Sequence, residues 1–133
     1  AISDYVTVGI YTTDATISNG EIEKTVTRGE SYSKRDTSVI TGLYTTTTNF
    51  DAYGDATTSQ TVGISQKMTA TGLRQTGRYT TDSTYDAYGD LATQQTLGES
   101  LWYNSAISDY VTVGIYTTDA TISDGEIEKT VTR

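Results

Sequence analysis

The sequence contains no cysteine, no histidine and no proline. Without cysteine there is no disulfide and no thiol chemistry, and without both cysteine and histidine the usual zinc ligand sets are missing. Histidine is also the side chain that most often moves protons near neutral pH. The composition therefore removes the commonest routes to acid–base, nucleophilic and zinc-dependent catalysis.

Long apolar runs are also missing. No segment approaches transmembrane length, and no signal peptide is recognisable. The 133 residues carry 17 acidic against 9 basic side chains, a net charge of −8. An acidic chain of this kind is a poor partner for nucleic acid or for an anionic membrane. We expect neither nucleic-acid binding nor membrane insertion.

The residues that are abundant favour β-structure. Threonine occurs 29 times and tyrosine 11 times, and both suit a pleated, half-buried surface. Hydrophobic residues make up only 35% of the chain, which is low for a thick two-layer core. An all-β protein is the fold class that this composition predicts.

Internal repeats organise the whole chain. The segment AISDYVTVGIYTTDATISNGEIEKTVTR (1–28) returns at 106–133 with a single change, Asn19 to Asp124. FDAYGDATTSQTVG (50–63) returns as YDAYGDLATQQTLG (85–98), an offset of 35, which is one third of the offset of 105 between the end segments. We interpret residues 1–133 as one repeat domain of four units, at approximately 1–35, 36–70, 71–105 and 106–133.

Each unit has the turn chemistry of a β-hairpin. Asn19-Gly20 and Asp124-Gly125 suit two-residue loops in which both residues take positive φ. Segments 51–54 and 86–89 (both DAYG) suit type I turns with Asp at the first position and Gly in a left-handed bulge, which makes three-residue loops. The register that follows places four apolar pairs just below the tips: Ile17 with Ile22, Phe50 with Ala56, Tyr85 with Leu91, and Ile122 with Ile127.

The sequence thus predicts an antiparallel meander of about eight long strands, each of ten to fourteen residues. The opposite-end connections are expected near segments 28–38, 65–72 and 98–108. Neither face of the first strand is purely polar, so both faces are expected to be partly covered. We therefore expect the sheet to pack as a sandwich or barrel, or to stack in an assembly.

Two recurring features could carry chemistry. The acid pairs Asp51/Asp55 and Asp86/Asp90 flank the tips and could suggest calcium binding. Calcium prefers six or more oxygen ligands, however, and Asp is a natural first residue of such a turn.

The second feature is a Gly-x-Tyr-Thr-Thr element, which could form a sugar-binding surface or a structural ladder of stacked side chains. We favour the ladder. In that reading the glycine two residues before each tyrosine leaves room for a neighbouring ring. The tyrosines concerned are Tyr11, Tyr44, Tyr79 and Tyr116.

Three interpretations of the threonine runs are possible: ordinary strand residues with no further role, sites of O-linked glycan, or a flat ice-binding surface. An ice-facing array needs threonine at alternate positions on one face, and this regularity is expected to fail across the second and third units. No histidine is present to activate the many hydroxyls. We expect no catalytic residues, no metal site and no cofactor, and a protein that is not an enzyme.

Near-identical tandem units in an acidic, threonine-rich, cysteine-free chain resemble bacterial or archaeal surface adhesins, stalks and extracellular fibres. The resemblance implies an extracellular or cell-surface location. We expect a structural building block of an extracellular fibre, filament or surface layer, with further copies of itself as partners, assembled head to tail. The alternatives are a secreted lectin-like carbohydrate-binding or adhesin module with glycan partners, a phage fibre segment, and, for the repeated ends, a piece of a longer tandem gene.

Overall fold

The computed structural model describes residues 5–123 and 126–133. Eight strands pair in chain order into one antiparallel sheet, and the described residues form no helix. The strands are β1 (Gly9–Ser18), β2 (Glu21–Tyr32), β3 (Ile40–Phe50), β4 (Ala56–Thr69), β5 (Gly72–Tyr85), β6 (Leu91–Asn104), β7 (Asp109–Ser123) and β8 (Glu126–Thr132). The predicted all-β meander is confirmed.

The hairpin tips have the predicted conformations. Asn19 and Gly20 take φ values of 52° and 82°, and Gly54 and Gly89 take 85° and 81°. The Asp51 carbonyl accepts a hydrogen bond of 3.2 Å from the amide of Gly54. All four predicted pairs below the tips are in register: Ile17–Ile22, Phe50–Ala56, Tyr85–Leu91 and Ile122–Ile127. The fourth tip, Asp124-Gly125, lies outside the described residues.

The connections at the opposite end are shorter than predicted. Strand β4 runs through most of segment 65–72, so that only Ala70 and Thr71 separate it from β5. Strand β6 likewise runs on to Asn104, where the rings of Tyr103 and Tyr110 meet edge to face at 5.2 Å. Cross-strand contacts of this kind make continued pairing more favourable than a loop.

Irregular register marks both ends of the sheet. The pairing shifts by one residue just below each tip, and again near the opposite end at 31/32, 65/66 and 100/101. Between these two sets of bulges the pairing is continuous across neighbouring strands. Side chains in this central zone therefore line up in straight rows across the sheet.

The sheet is a single open layer. Among the described residues, Val39 is the one large apolar side chain that is buried, at 7% exposure. Strands β1 and β8 form the two edges, and the sheet does not close. The sandwich or barrel packing is therefore not confirmed, and stacking between copies stays a proposal.

The glycine at each three-residue tip gives a direct test of the hairpins. Gly54→Val should lower the free energy of unfolding by about 1–2 kcal/mol, because a β-branched residue adopts positive φ only with strain. A Cβ on Gly54 would meet nothing within 4 Å, so the loss comes from the backbone alone. Urea denaturation measures it, and Gly54→Asn, which tolerates left-handed backbone, should lose less. Equal midpoints for the wild type and Gly54→Val would contradict the assigned turn.

Candidate functional site

Tyrosine and glycine alternate in one straight row across the sheet. This Tyr–Gly row consists of Tyr11, Gly29, Tyr44, Gly63, Tyr79, Gly98 and Tyr116. A Cβ built on Gly29 would overlap the Tyr44 ring, and the same holds for Gly63 with Tyr79. Each of these rings thus lies on the glycine of the preceding strand. Tyr11, on the edge strand β1, is 74% exposed, against 36% for Tyr44.

The prediction of which glycines make room for the rings was wrong. The glycines two residues before the tyrosines accommodate serines instead: a Cβ on Gly42 would come within 2.7 Å of Ser31 Oγ, and one on Gly77 within 3.0 Å of Ser65 Oγ. Each ring leans toward the glycine directly opposite on the preceding strand, because directly opposite residues are the nearest cross-strand neighbours. The resulting Gly–Ser row consists of Gly9, Ser31, Gly42, Ser65, Gly77, Ser100 and Gly114.

A second row on the same face is made of threonine on all eight strands. The Thr row consists of Thr13, Thr27, Thr46, Thr61, Thr81, Thr96, Thr118 and Thr132. Within each hairpin the two hydroxyls are hydrogen-bonded, at 2.8, 2.8, 2.9 and 3.2 Å in chain order. This row has one threonine per strand, and threonine does not alternate along the strands of the second and third units, where Thr61 is flanked on this face by Ser59 and Gly63.

The next row toward the tips is mixed, so threonine is not repeated in two dimensions. This small-residue row consists of Ala15, Thr25, Thr48, Ser59, Ser83, Gln94, Ala120 and Thr130. Together with the Gly–Ser, Tyr–Gly and Thr rows it forms what we name the neutral face. None of the residues in these four rows is charged.

The intervening residues form the opposite, charged face. The charged residues in its rows are Asp14, Lys24, Arg28, Glu30, Arg78, Asp82, Glu99, Asp119, Lys129 and Arg133. Asp14 and Arg28 pair at 3.4 Å, and Arg78 pairs with Glu99. The Gln95 side-chain amide donates a hydrogen bond of 2.7 Å to Asp119. The sheet therefore segregates charge to one side.

A shallow groove of about 440 Å³ lies on the charged face. Its apolar lining includes Val62, Leu97 and Ile115, which are 46%, 47% and 77% exposed. The Arg78–Glu99 ion pair also lines the groove, so the apolar surface is interrupted by charge. This arrangement suits aliphatic side chains shielding an ion pair more than a ligand pocket.

The first carboxylate of each acid pair closes the turn at its tip. Asp51 Oδ1 accepts hydrogen bonds from the amides of Tyr53 and Asp55, at 2.8 and 3.0 Å, and Asp86 Oδ1 does the same in the third unit. Across residues 5–123 and 126–133, no cluster of three or more potential metal-ligating side chains occurs. That the fold does not need a bound metal ion stays a prediction.

That prediction is tested by removing divalent cations. If the tips bound calcium, a chelator would lower the melting temperature, because a ligand of the native state stabilises it by mass action. We expect a change of no more than about 2 °C, because the Asp51 carboxylate already accepts two backbone hydrogen bonds. A large loss, restored by added calcium and not by magnesium, would establish a calcium site.

Two side chains near the connection between β2 and β3 have shifted pKa values. The Tyr32 hydroxyl donates a hydrogen bond of 2.7 Å to Glu30, and this bond, with desolvation and the Glu30 charge, raises the pKa of Tyr32. Hydrogen bonds from the Ser38 hydroxyl and amide lower the pKa of Asp36. Both shifts have local causes, and neither group lies in a cleft.

Comparison of the chain with protein-family models, with curated protein sequences and with solved structures finds no match. In the described part of the chain, no helix is long and apolar enough to cross a membrane. The case for a function therefore rests on the geometry of the two faces and two edges.

The ring-on-glycine contact can be tested by a double-mutant cycle. Gly63→Ala should lower the free energy of unfolding by about 1–3 kcal/mol, because the new Cβ displaces the Tyr79 ring. In a Tyr79→Ala background the same change should be neutral or stabilising, since glycine weakens a strand interior. Gly114→Ala is the matched control, because its Cβ would lie 3.7 Å from Ser100, an ordinary contact. Equal losses for Gly63→Ala and Gly114→Ala would refute the contact.

Proposed function

We propose that the protein is a structural building block whose sheet continues from one copy into the next, edge to edge. The observation that carries this proposal is that each edge strand repeats a strand that is paired on both sides. Strand β8 repeats the sequence of β2, which pairs with both β1 and β3. Strand β1 repeats the sequence of β7, which pairs with both β6 and β8.

The repeats also define the register of the contact. Strands β1 and β3 share the Gly-x-Tyr-Thr-Thr element, so β1 of one copy can take the place on β8 that β3 takes on β2. Since β3 pairs Thr48 with Thr25, the contact would pair Ala15 of one copy with Thr130 of the next. The Thr row would then run on across the junction.

The backbone at both edges is oriented for this pairing. Thr117 and Arg133 exchange two backbone hydrogen bonds, at 2.9 and 2.8 Å, and such pairs alternate along an antiparallel ladder. By this alternation the amides of Ala15 on β1 and Thr130 on β8 point away from the sheet. Among the described residues, no further strand pairs with the outer side of β1 or β8.

A contact between two different edges is head to tail, and it propagates into a filament unless its rotation closes a ring. The extracellular or cell-surface setting belongs to the same proposal and is supported by the resemblance of the tandem repeats to adhesins, stalks and fibres. The lectin-like alternative is supported by the Tyr–Gly row, but three of its four rings already lie on glycines.

Proline substitution tests the edges. Ala15→Pro and Thr130→Pro should each leave the monomer folded while abolishing filaments, because each removes only an outward-pointing amide. Ala120→Pro is the matched control: it is the repeat equivalent of Ala15, but by the same alternation its amide points toward β6 and should be needed for folding. Electron microscopy and sedimentation measure assembly, and circular dichroism measures folding.

Deletion of residues 126–133 provides an independent check, since it removes β8, the strand that repeats β2, and leaves as the edge β7, which repeats β1. The remaining seven strands should no longer form filaments. Filaments from Ala15→Pro as abundant as those of the wild type, or a wild type that stays unassembled at high concentration, would overturn the proposal.

A further inference from the structure

We infer a second self-contact: the neutral face packs against the neutral face of another copy, giving a two-layer sheet. This contact goes beyond the edge-to-edge proposal, because it uses a different surface and can form whether or not the edges join.

The first argument is the amount of exposed surface. The chain exposes 9373 Å². A folded monomer of 14.4 kDa exposes about 6,800 Å², so this single layer exposes about 2,500 Å² more than a globular domain of its mass. A partner that covers a large area is needed to bring the exposed surface of the molecule into the range that is usual for its mass.

The neutral face is large enough for such a partner. It spans seven residues along each of strands β1 to β7, at about 3.3 Å per residue and about 4.8 Å between strands, and three residues along β8. Its footprint is therefore about 800 Å², and two such faces together bury about 1,600 Å², which is the size of a standard specific interface.

Covering the neutral face removes no charge from water. Many of its hydroxyls also already have partners: besides the hairpin pairs of the Thr row, Thr48 and Ser59 pair at 3.1 Å, and Gln94 donates to Ser83 at 3.2 Å. Desolvation of a paired hydroxyl costs less than that of a free one. Covering the charged face would instead desolvate ion pairs such as Asp14–Arg28, which is expensive.

A second copy can cover every row of the neutral face without placing a charge from these rows in the contact. With a twofold axis parallel to the rows, midway between the Tyr–Gly row and the Thr row, each tyrosine row lies over the partner's Thr row. The Gly–Ser row then lies over the partner's small-residue row, so that all four rows are covered by an isologous contact. The charged face of each copy points away from the partner, so its ion pairs stay in water.

Neighbouring residues on the central strand β5 provide the test. Thr81 lies in the Thr row of the neutral face, whereas Thr80 lies on the charged face, and both are half-buried. Sedimentation equilibrium of the full chain should give paired sheets for the wild type and for Thr80→Lys. Thr81→Lys should halve the mass of the smallest species, because it would bury a charge against the partner.

Where filaments form, wild type and Thr80→Lys should be two layers thick, about 20 Å, and Thr81→Lys one layer, about 10 Å. Thr61→Lys and Gln60→Lys on β4 repeat the comparison, so that a folding defect in one variant leaves the other pair informative. Equal masses for Thr80→Lys and Thr81→Lys, or a wild type with single-layer sheets, would overturn the inference. If the edge-to-edge proposal alone is wrong, paired sheets are expected without filaments. If the face-to-face inference alone is wrong, single-layer filaments are expected.

Discussion

Cross-strand pairing holds this structure together, because a single-layer sheet has no second layer against which to bury side chains. The stabilising contacts are accordingly between neighbouring strands: rings on glycines, hydroxyl pairs along the Thr row and ion pairs on the charged face. Cross-strand pairs each contribute about 0.2–1 kcal/mol. Stability is thus distributed along the array, as in other repeat proteins whose units contact only their neighbours.

The parts of the fold that depend on local chemistry were predictable from sequence. Asn19-Gly20 and the DAYG tips encode their turns within a few residues, and turn length fixes the register of each hairpin. The glycine beneath each ring depends instead on the facing strand, as with Gly63 under Tyr79. The extension of β4 and β6 into the expected connections depends on cross-strand partners in the same way. Neither the ring-on-glycine contacts nor the extension of these strands could be predicted from the sequence of a single strand.

The sequence analysis did not predict the neutral face and the charged face, and the reason is a different one. An amphipathic strand is usually recognised by alternation of apolar and polar residues. Here the neutral face is polar, and the opposite face mixes charged residues, as at Thr81-Asp82 and Thr118-Asp119, with aliphatic residues such as Val62. Threonine gives little signal in a hydrophobicity pattern, although its positions determine which face of the sheet is free of charge.

The separation of charge also bears on where assembly would stop. Edge pairing extends the sheet in its own plane, and pairing of neutral faces adds one further layer. Both outer surfaces of the resulting double layer are then charged faces, with ion pairs and hydrogen-bonded carboxylates exposed to water. Burying those groups would carry a large desolvation cost, which opposes a third layer. The two proposed contacts together thus describe a filament that grows in length and is limited to two layers in thickness.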